Sequence, residues 1–273
     1  MKTKKVQIYC TSIKYYSVLN KLPEYMLPLG LGNSDFPNNW LIEKKDKNIT
    51  HLNQHYGELT GFYWIWKNKI DEFESNDFIG FCHYRKLWLD YLKDEKNKMS
   101  VKSIYEDLLK NTNTIFDKTD VIQAQPILFK NKNLLEDFLI VHKNNILEKS
   151  IDFLDEPIKS QFRQSLQKNI LFPLNMFIVK KPFFIDYCNI IFPWLEKCMA
   201  YCEKNKLLTS YNTRLPAFLA ERFTSFWFSR AESKENLSYA RLGNFFLSNK
   251  VNRYINPLRL PFTSRMYPTI HKY

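Results

Sequence analysis

Asp77-Phe-Ile-Gly-Phe-Cys-His83-Tyr-Arg85-Lys86 is the stretch on which the reading of the chain turns. Residues 78–82 are apolar, aromatic or small, and no polar residue interrupts them. A strand buried on both faces reads this way, and such strands belong to the parallel sheets of α/β proteins. The run then changes at once to His83, Tyr84, Arg85 and Lys86. In open α/β sheets, ligands bind beyond the carboxyl ends of the strands. His83 and Arg85 therefore stand where a substrate would bind, and both can engage an anionic group such as phosphate. The same residues also suit a basic loop that follows a core strand and binds nothing.

The flanking sequence alternates in the same style. Residues 6–10 read as a first strand closed by the polar pair Thr11-Ser12. Residues 20–50 carry Pro23, Pro28, Pro37, Gly30 and Gly32 and read as a long irregular loop, a type that is often functional. A helix is predicted over 52–68, with Glu58 near its first turn, where the helix dipole favours a carboxylate. Residues 90–112 read as a charged, solvated helix and 119–125 as a strand. Two helices follow around 134–142 and 157–167, then a strand over 176–179. Long helices are predicted over 183–204, with a kink at Pro193, and over 215–228. This order predicts a single α/β domain over 1–249, its mostly parallel sheet covered by helices on both faces. Residues 250–273 form a basic tail.

Composition narrows the function. The 273 residues include 45% hydrophobic and 16% aromatic side chains, enough for a sizeable core. With 6 glycines and neither G-x-G-x-x-G nor G-x-x-x-x-G-K-[ST], a dinucleotide fingerprint or P-loop is excluded. The formal charge of +12 favours anionic partners: nucleotide phosphates, an acidic membrane surface or nucleic acid. Five cysteines without compact spacing fit a reducing compartment, and Cys198 and Cys202 lack the partners of a zinc site. The first residues lack a signal-peptide core, and no run reaches the ~18 apolar residues of a membrane span. A cytoplasmic protein, peripheral at most on the inner face of a membrane, is expected. In the tail, Lys250, Arg253, Arg259, Arg265 and Lys272 mix with aromatic residues, which suits an anionic membrane surface or a strap wrapped on the domain.

Taken together, several segments resemble one family. Asn48-Ile-Thr50, Asn53, Tyr56-Gly-Glu-Leu-Thr60, Tyr63-Trp64-Ile-Trp66-Lys67-Asn68 and the stretch from Phe78 to Lys86 follow one another. They resemble the DUF4422 family of bacterial glycosyltransferases from capsule and lipopolysaccharide gene clusters. Pro28-Leu-Gly-Leu-Gly-Asn33, Asn175-Met-Phe-Ile178 and Ala220-Glu-Arg222 add to the likeness, which spans most of 6–230. Gly57 stands in place of the usual Cys, Thr50 of Ser, and Lys86 of a second Arg, so any contact from position 86 is a point charge rather than a fork. The resemblance implies a GT-A-like fold, a nucleotide-sugar donor such as UDP-galactofuranose, and a lipid-linked or oligosaccharide acceptor.

Roles follow from the chemistry of such a transfer. GT-A enzymes usually hold a divalent metal on a D-x-D pair at a strand end, and here His83-Tyr84-Arg85 stands in that place. A cationic end suits direct binding of the diphosphate, so no metal or other cofactor is expected. Arg85, with Tyr84, Lys86, Thr11 and Arg222, is a candidate for the donor diphosphate, and His83 for phosphate bonding or protonation. A His83 and Arg85 pairing with Glu58 as a purely structural network is the competing account. Inverting transfer needs a carboxylate base; Glu221 is the first candidate, Glu58 the second and Asp120 the third. Asn53, Tyr56, Trp64 and Asn175 are candidates for sugar or acceptor contacts. Trp64 and Trp66 point different ways on a helix, so at least one belongs to the core. A non-catalytic membrane scaffold and a nucleic-acid binder are the alternatives; no nucleic-acid motif supports the latter.

Overall fold

A computed structural model describes residues 4–89, 108–230, 238–242 and 244–246. Strands β1 (Val6–Ser12) and β4 (Phe78–His83) lie side by side and parallel at the centre, with Cys10 opposite Cys82 and Thr11 opposite His83. Around them run β2 (Met26–Gly30), β3 (Leu41–Ile42), β6 (Val121–Ala124), β9 (Phe177–Lys180) and β10 (Tyr239–Leu242) in the order β10-β6-β9-β4-β1-β2-β3. Along that path every neighbouring pair is parallel except those made by β9, which runs against β4 and β6. The sheet is thus mostly parallel. A short strand β5 (Lys86–Trp88) folds back on the end of β4 and pairs in turn with β11 (Asn244–Phe246). A separate antiparallel pair is formed by β7 (Ile127–Leu128) and β8 (Ile170–Leu171).

The near-unbroken apolar strands follow from burial on both sheet faces. Tyr9, Ile79, Phe81, Phe177 and Val179 face one core; Ile8, Cys10, Phe78, Cys82 and Ile178 face the other. The first face carries the helices α2 (Leu59–Asn68), α7 (Lys181–Lys204) and α8 (Leu215–Ser229). Phe62 of α2 meets Phe81 with ring centroids 3.9 Å apart. The second face is covered largely by Leu19, Trp40, Trp88, Leu108, Leu109 and Phe116, with one short helix, α3 (Ile115–Lys118). Helices thus flank the sheet, and among the described residues the longer ones lie on the first face. All five cysteines are free and buried in these cores. Trp64 is buried, and its Nε1 donates to the Lys45 carbonyl at 2.6 Å; Tyr56 is buried in the same core. Both aromatics pack rather than face solvent.

Residues 20–50 are not the loop expected from their prolines. Met26–Gly30 forms β2 with Pro28 inside it. Gly30 accepts from the Glu43 amide at 3.2 Å, and strand alternation turns the Pro28 nitrogen to the same side. There β3 pairs only Leu29 and Gly30, so the missing N–H leaves nothing unpaired. The predicted 52–68 helix is broken into α1 (Asn53–Tyr56) and α2 by Gly57, at φ 55° and ψ −130°. That backbone conformation belongs to glycine. Asn53 bridges the break, donating to the Gly57 carbonyl at 3.0 Å and to Thr60 Oγ1 at 2.9 Å. Of the segment 90–112, residues 108–112 are described and are not helical; Leu108 bridges to Leu89. The basic tail lies outside the described residues. Helices α4 (Leu134–His142), α5 (Ile146–Ser150) and α6 (Ile158–Leu166) complete the first face, and α7 runs on through Pro193. Among the described residues, no helix is long and apolar enough to cross a membrane.

Glu43, just past β3, is fully buried; Oε1 accepts from the Gly32 amide at 2.7 Å, and Oε2 has no partner. Burial holds its carboxyl above the usual range, outweighing that amide bond. A raised acid pKa means that the folded chain binds the proton more tightly than the unfolded one. The resulting stability is complete below the unfolded pKa and is lost as pH rises through the folded value. Glu43→Gln, which mimics the neutral acid, is expected to flatten that decline. Thermal melts of both proteins from pH 4.5 to 8 test this; parallel curves would refute it.

Candidate active site

A cleft of about 480 Å³ opens at the carboxyl ends of β1 and β4. Its walls come from Thr11 and Ser12 at the end of β1, His83 to Lys86 at the end of β4, and Gly57 and Glu58 at the α1–α2 break. Leu174 and Asn175 ahead of β9, and Tyr211, Arg214, Phe218 and Glu221 at the start of α8, close it. Tyr84 and Arg85 form the two-residue turn between β4 and β5, because His83 pairs with Lys86. The turn explains why Arg85 is exposed at the tip while Lys86, the first residue of β5, is 8% exposed. Burial holds Lys86 below its ordinary range; the Glu221 carboxylate opposes that shift and Arg85 adds to it.

Leu174 and Asn175 organise the inner wall. Both adopt left-handed backbone, with φ of 70° and 52°. Left-handed backbone costs about 1–2 kcal/mol for a residue such as Leu. Three side chains from separate segments hold it. The Leu174 amide donates to Glu221 Oε1 at 2.6 Å. His83 Nε2 donates to the Leu174 carbonyl at 2.5 Å. Asn175 Nδ2 donates to Glu58 Oε1 at 2.7 Å. A carboxylate only accepts, so the amide nitrogen faces Glu58. Asn175 Oδ1 is left buried without a partner, on a residue that is 2% exposed.

These bonds reassign some side chains. A carbonyl cannot donate, so His83 Nε2 carries a proton and spends it on Leu174. Its Nδ1 lies 3.4 Å from Thr11 Oγ1, and Thr11 Oγ1 donates to the Cys82 carbonyl at 3.1 Å. The Nε2 proton is thus committed to the protein, and His83 braces the wall rather than offering that proton to phosphate. Arg222 is 5% exposed and absent from the cleft lining. Its Nη1 donates to Glu221 Oε2 at 2.7 Å and its Nη2 to Asp137 Oδ2 at 3.0 Å, while Lys132 meets Asp137 Oδ1 at 2.7 Å. Arg222 therefore anchors Glu221 from behind. Asp120 is paired with Lys180 and the Ser238 amide, outside the cleft. Asn53, Tyr56 and Trp64 also stay outside it, for the packing and bridging reasons given above.

Thr11, Glu58, His83, Tyr84, Arg85, Lys86, Asn175 and Glu221 are the sequence candidates that the fold brings to the cleft. Sequence reading missed Arg214 and Tyr211. Arg214 lies 3.6 Å from Glu58 Oε2, and a Cβ on Gly57 would stand 2.5 Å from its Nη2. The glycine thus gives the guanidinium its path over the chain break. Neither residue belongs to a motif in the sequence; both sit in the 3-10 helix Ser210–Arg214 ahead of α8.

Glu221→Ala would leave the Leu174 amide unpaired and Arg222 with one carboxylate fewer. Removing one member of a buried ion pair costs about 3 kcal/mol. Urea unfolding of this variant is expected to show a loss of that order, and unchanged stability would contradict the bracing role.

The chain matches, over residues 7–233, the family described as Domain of unknown function (DUF4422). No curated protein matches it. Its fold is similar to the apo structure of WbbM, a bifunctional glycosyltransferase, with a TM-score of 0.71 at 20% identity. The likeness covers 90% of this chain and 46% of WbbM, so the chain spans about half the length of that protein.

Proposed function

The chain belongs to the DUF4422 family, and from that membership and the chemistry of the cleft we propose that it is a glycosyltransferase. It takes a sugar from a nucleotide-sugar donor, a UDP-sugar such as UDP-galactofuranose, and adds it to a growing capsule, O-antigen or lipooligosaccharide glycan. The observation that carries this reading is the cleft itself. At the carboxyl ends of the two central strands, Arg85, Lys86 and Arg214 face the same space as Glu58, Glu221 and Asn175. Cations suit a diphosphate leaving group, and carboxylates suit sugar hydroxyls. The similarity of the fold to a glycosyltransferase supports the reading.

The residues at the end of β4 do not fit a divalent cation. A GT-A metal site needs paired carboxylates there, and the turn offers His83, Tyr84, Arg85 and Lys86. Glu58 and Glu221 are each bonded to other groups, with cations beside them. Among the described residues, no group of three or more His, Cys, Asp or Glu is arranged to hold a metal ion. The proposed mechanism therefore runs on fixed cations. An acceptor hydroxyl oxygen bonds to the anomeric carbon from the face opposite the diphosphate. The bond from that carbon to the diphosphate oxygen breaks with its electron pair, and the configuration inverts. Arg85, Lys86 and Arg214 stabilise the charge that develops on the diphosphate.

The acceptor proton goes to a carboxylate, and the geometry favours Glu58 over Glu221. Glu221 has both oxygens held, at 2.6 Å and 2.7 Å. Among the described residues, Glu58 Oε2 has only the 3.6 Å approach of a half-exposed Arg214. His83 and Glu221 act as positioning residues through Leu174.

Four measurements test this reading. A screen of nucleotide sugars, UDP-galactofuranose included, is expected to find one donor that is bound and turned over; no turnover with any donor would favour a scaffold. Transfer should persist in excess EDTA, and activity lost there but restored by Mn²⁺ would refute fixed-cation catalysis. Arg85→Ala should lower turnover ~10²-fold or more, the scale of lost transition-state charge stabilisation. Glu58→Gln should keep donor binding and lose ~10²-fold or more in transfer, the scale of a lost general base; near-normal rates would return the base to Glu221.

A further inference from the structure

Tyr211 is 62% exposed, yet it lines the cleft. Its ring is mounted with care for so exposed a side chain. It stacks on His142 at 5.7 Å between centroids with 9° between planes, and it packs on Phe218 at 5.0 Å. His142 is buried behind it, and Asn212 fixes the pair. His142 Nδ1 donates to Asn212 Oδ1 at 3.0 Å, while Asn212 Nδ2 donates to the His142 carbonyl at 3.0 Å. The polar groups beside Tyr211 are satisfied internally: Thr213 Oγ1 donates to the Ser210 carbonyl, and His55 bonds the Thr213 carbonyl. Among the described residues, the Tyr211 side chain keeps most of its surface exposed at the cleft.

That ring shares the cleft with groups that can accept protons from hydroxyls, Glu58 and Asn175 among them. In a 3-10 helix, residues three apart eclipse, so Tyr211 and Arg214 share a side, and Arg214 approaches Glu58. On α8, Phe218 and Glu221 are one turn apart on one face. Asn175 lines the same cleft, and its Oδ1 is buried without a partner. An apolar face beside such acceptors matches a sugar ring, which offers C–H bonds on one face and hydroxyl donors at its edge.

We propose that Tyr211, backed by Phe218 and His142, is the platform on which the acceptor's terminal sugar stacks, with Asn175 Oδ1 taking one of its hydroxyl protons. The acceptor is thus a glycan, and Tyr211 is a specificity-determining residue of the transfer. This inference rests on the glycosyltransferase reading above and is tested by binding, without turnover.

The experiment titrates the full chain with UDP, then, at saturating UDP, with di- to tetrasaccharides of galactose, glucose, mannose, rhamnose and N-acetylglucosamine. Calorimetry gives affinities, and saturation-transfer NMR identifies the sugar protons in contact. Wild type should bind at least one saccharide through its C–H face. Tyr211→Ala should weaken that saccharide about tenfold or more, on the scale of a lost aromatic contact, and UDP by less than about twofold. Tyr211→Phe, which keeps the ring, should bind the saccharide nearly as wild type. Three results would overturn the platform: equal saccharide affinity in wild type and Tyr211→Ala, a Tyr211→Ala loss confined to UDP, or UDP binding with no saccharide bound. Failure of wild type to bind UDP would instead overturn the transferase reading, and this inference with it.

Discussion

The site depends on a left-handed corner of backbone. Leu174 and Asn175 turn the chain into β9, the strand that runs against its neighbours. Alone, two consecutive non-glycine residues with positive φ would relax toward ordinary backbone. They hold because Glu221, His83 and Glu58 bond them from three directions. Each of those residues comes from a different part of the chain: helix α8, the end of β4, and the α1–α2 break. The corner therefore ties the sheet edge to both helices that wall the cleft. One small element fixes the orientation of every carboxylate in the site.

The cost of burying charge explains the next layer. Glu221 is held against Arg222, Arg222 against Asp137, and Asp137 against the more exposed Lys132. Isolated buried charges are expensive, and a chain of alternating signs that ends near solvent lowers that cost. The same logic separates the two carboxylates of the cleft. Glu221 belongs to the buried chain. Glu58 instead faces a half-exposed guanidinium across 3.6 Å.

Much of this was legible in the residues. The unbroken apolar run before His83 marked a central strand, because a strand buried on both faces has no need to alternate. The abrupt change to His-Tyr-Arg-Lys marked the strand's end. The break at Gly57 in the predicted 52–68 helix was not legible, because the periodicity of its neighbours runs on through it. Pro28 hid β2, since only the brevity of β3 makes its missing donor harmless. Arg214 and Tyr211 left no local signal, because a residue reaches the cleft from a 3-10 turn only once α8 has docked on the sheet.

The sequence by itself determined the α/β class, the central strand, and the residue types available for an anionic ligand, since those follow from local pattern and side-chain chemistry. Only the tertiary structure decided what each residue does. Hydrogen-bond partners are set by neighbours far apart in the chain. His83 spends its Nε2 proton on a carbonyl 91 residues away, and Glu58 meets an amide 117 residues away. Arg222, adjacent to Glu221 in sequence, turned out to be its buried anchor because Asp137, from α4, lies on its other side.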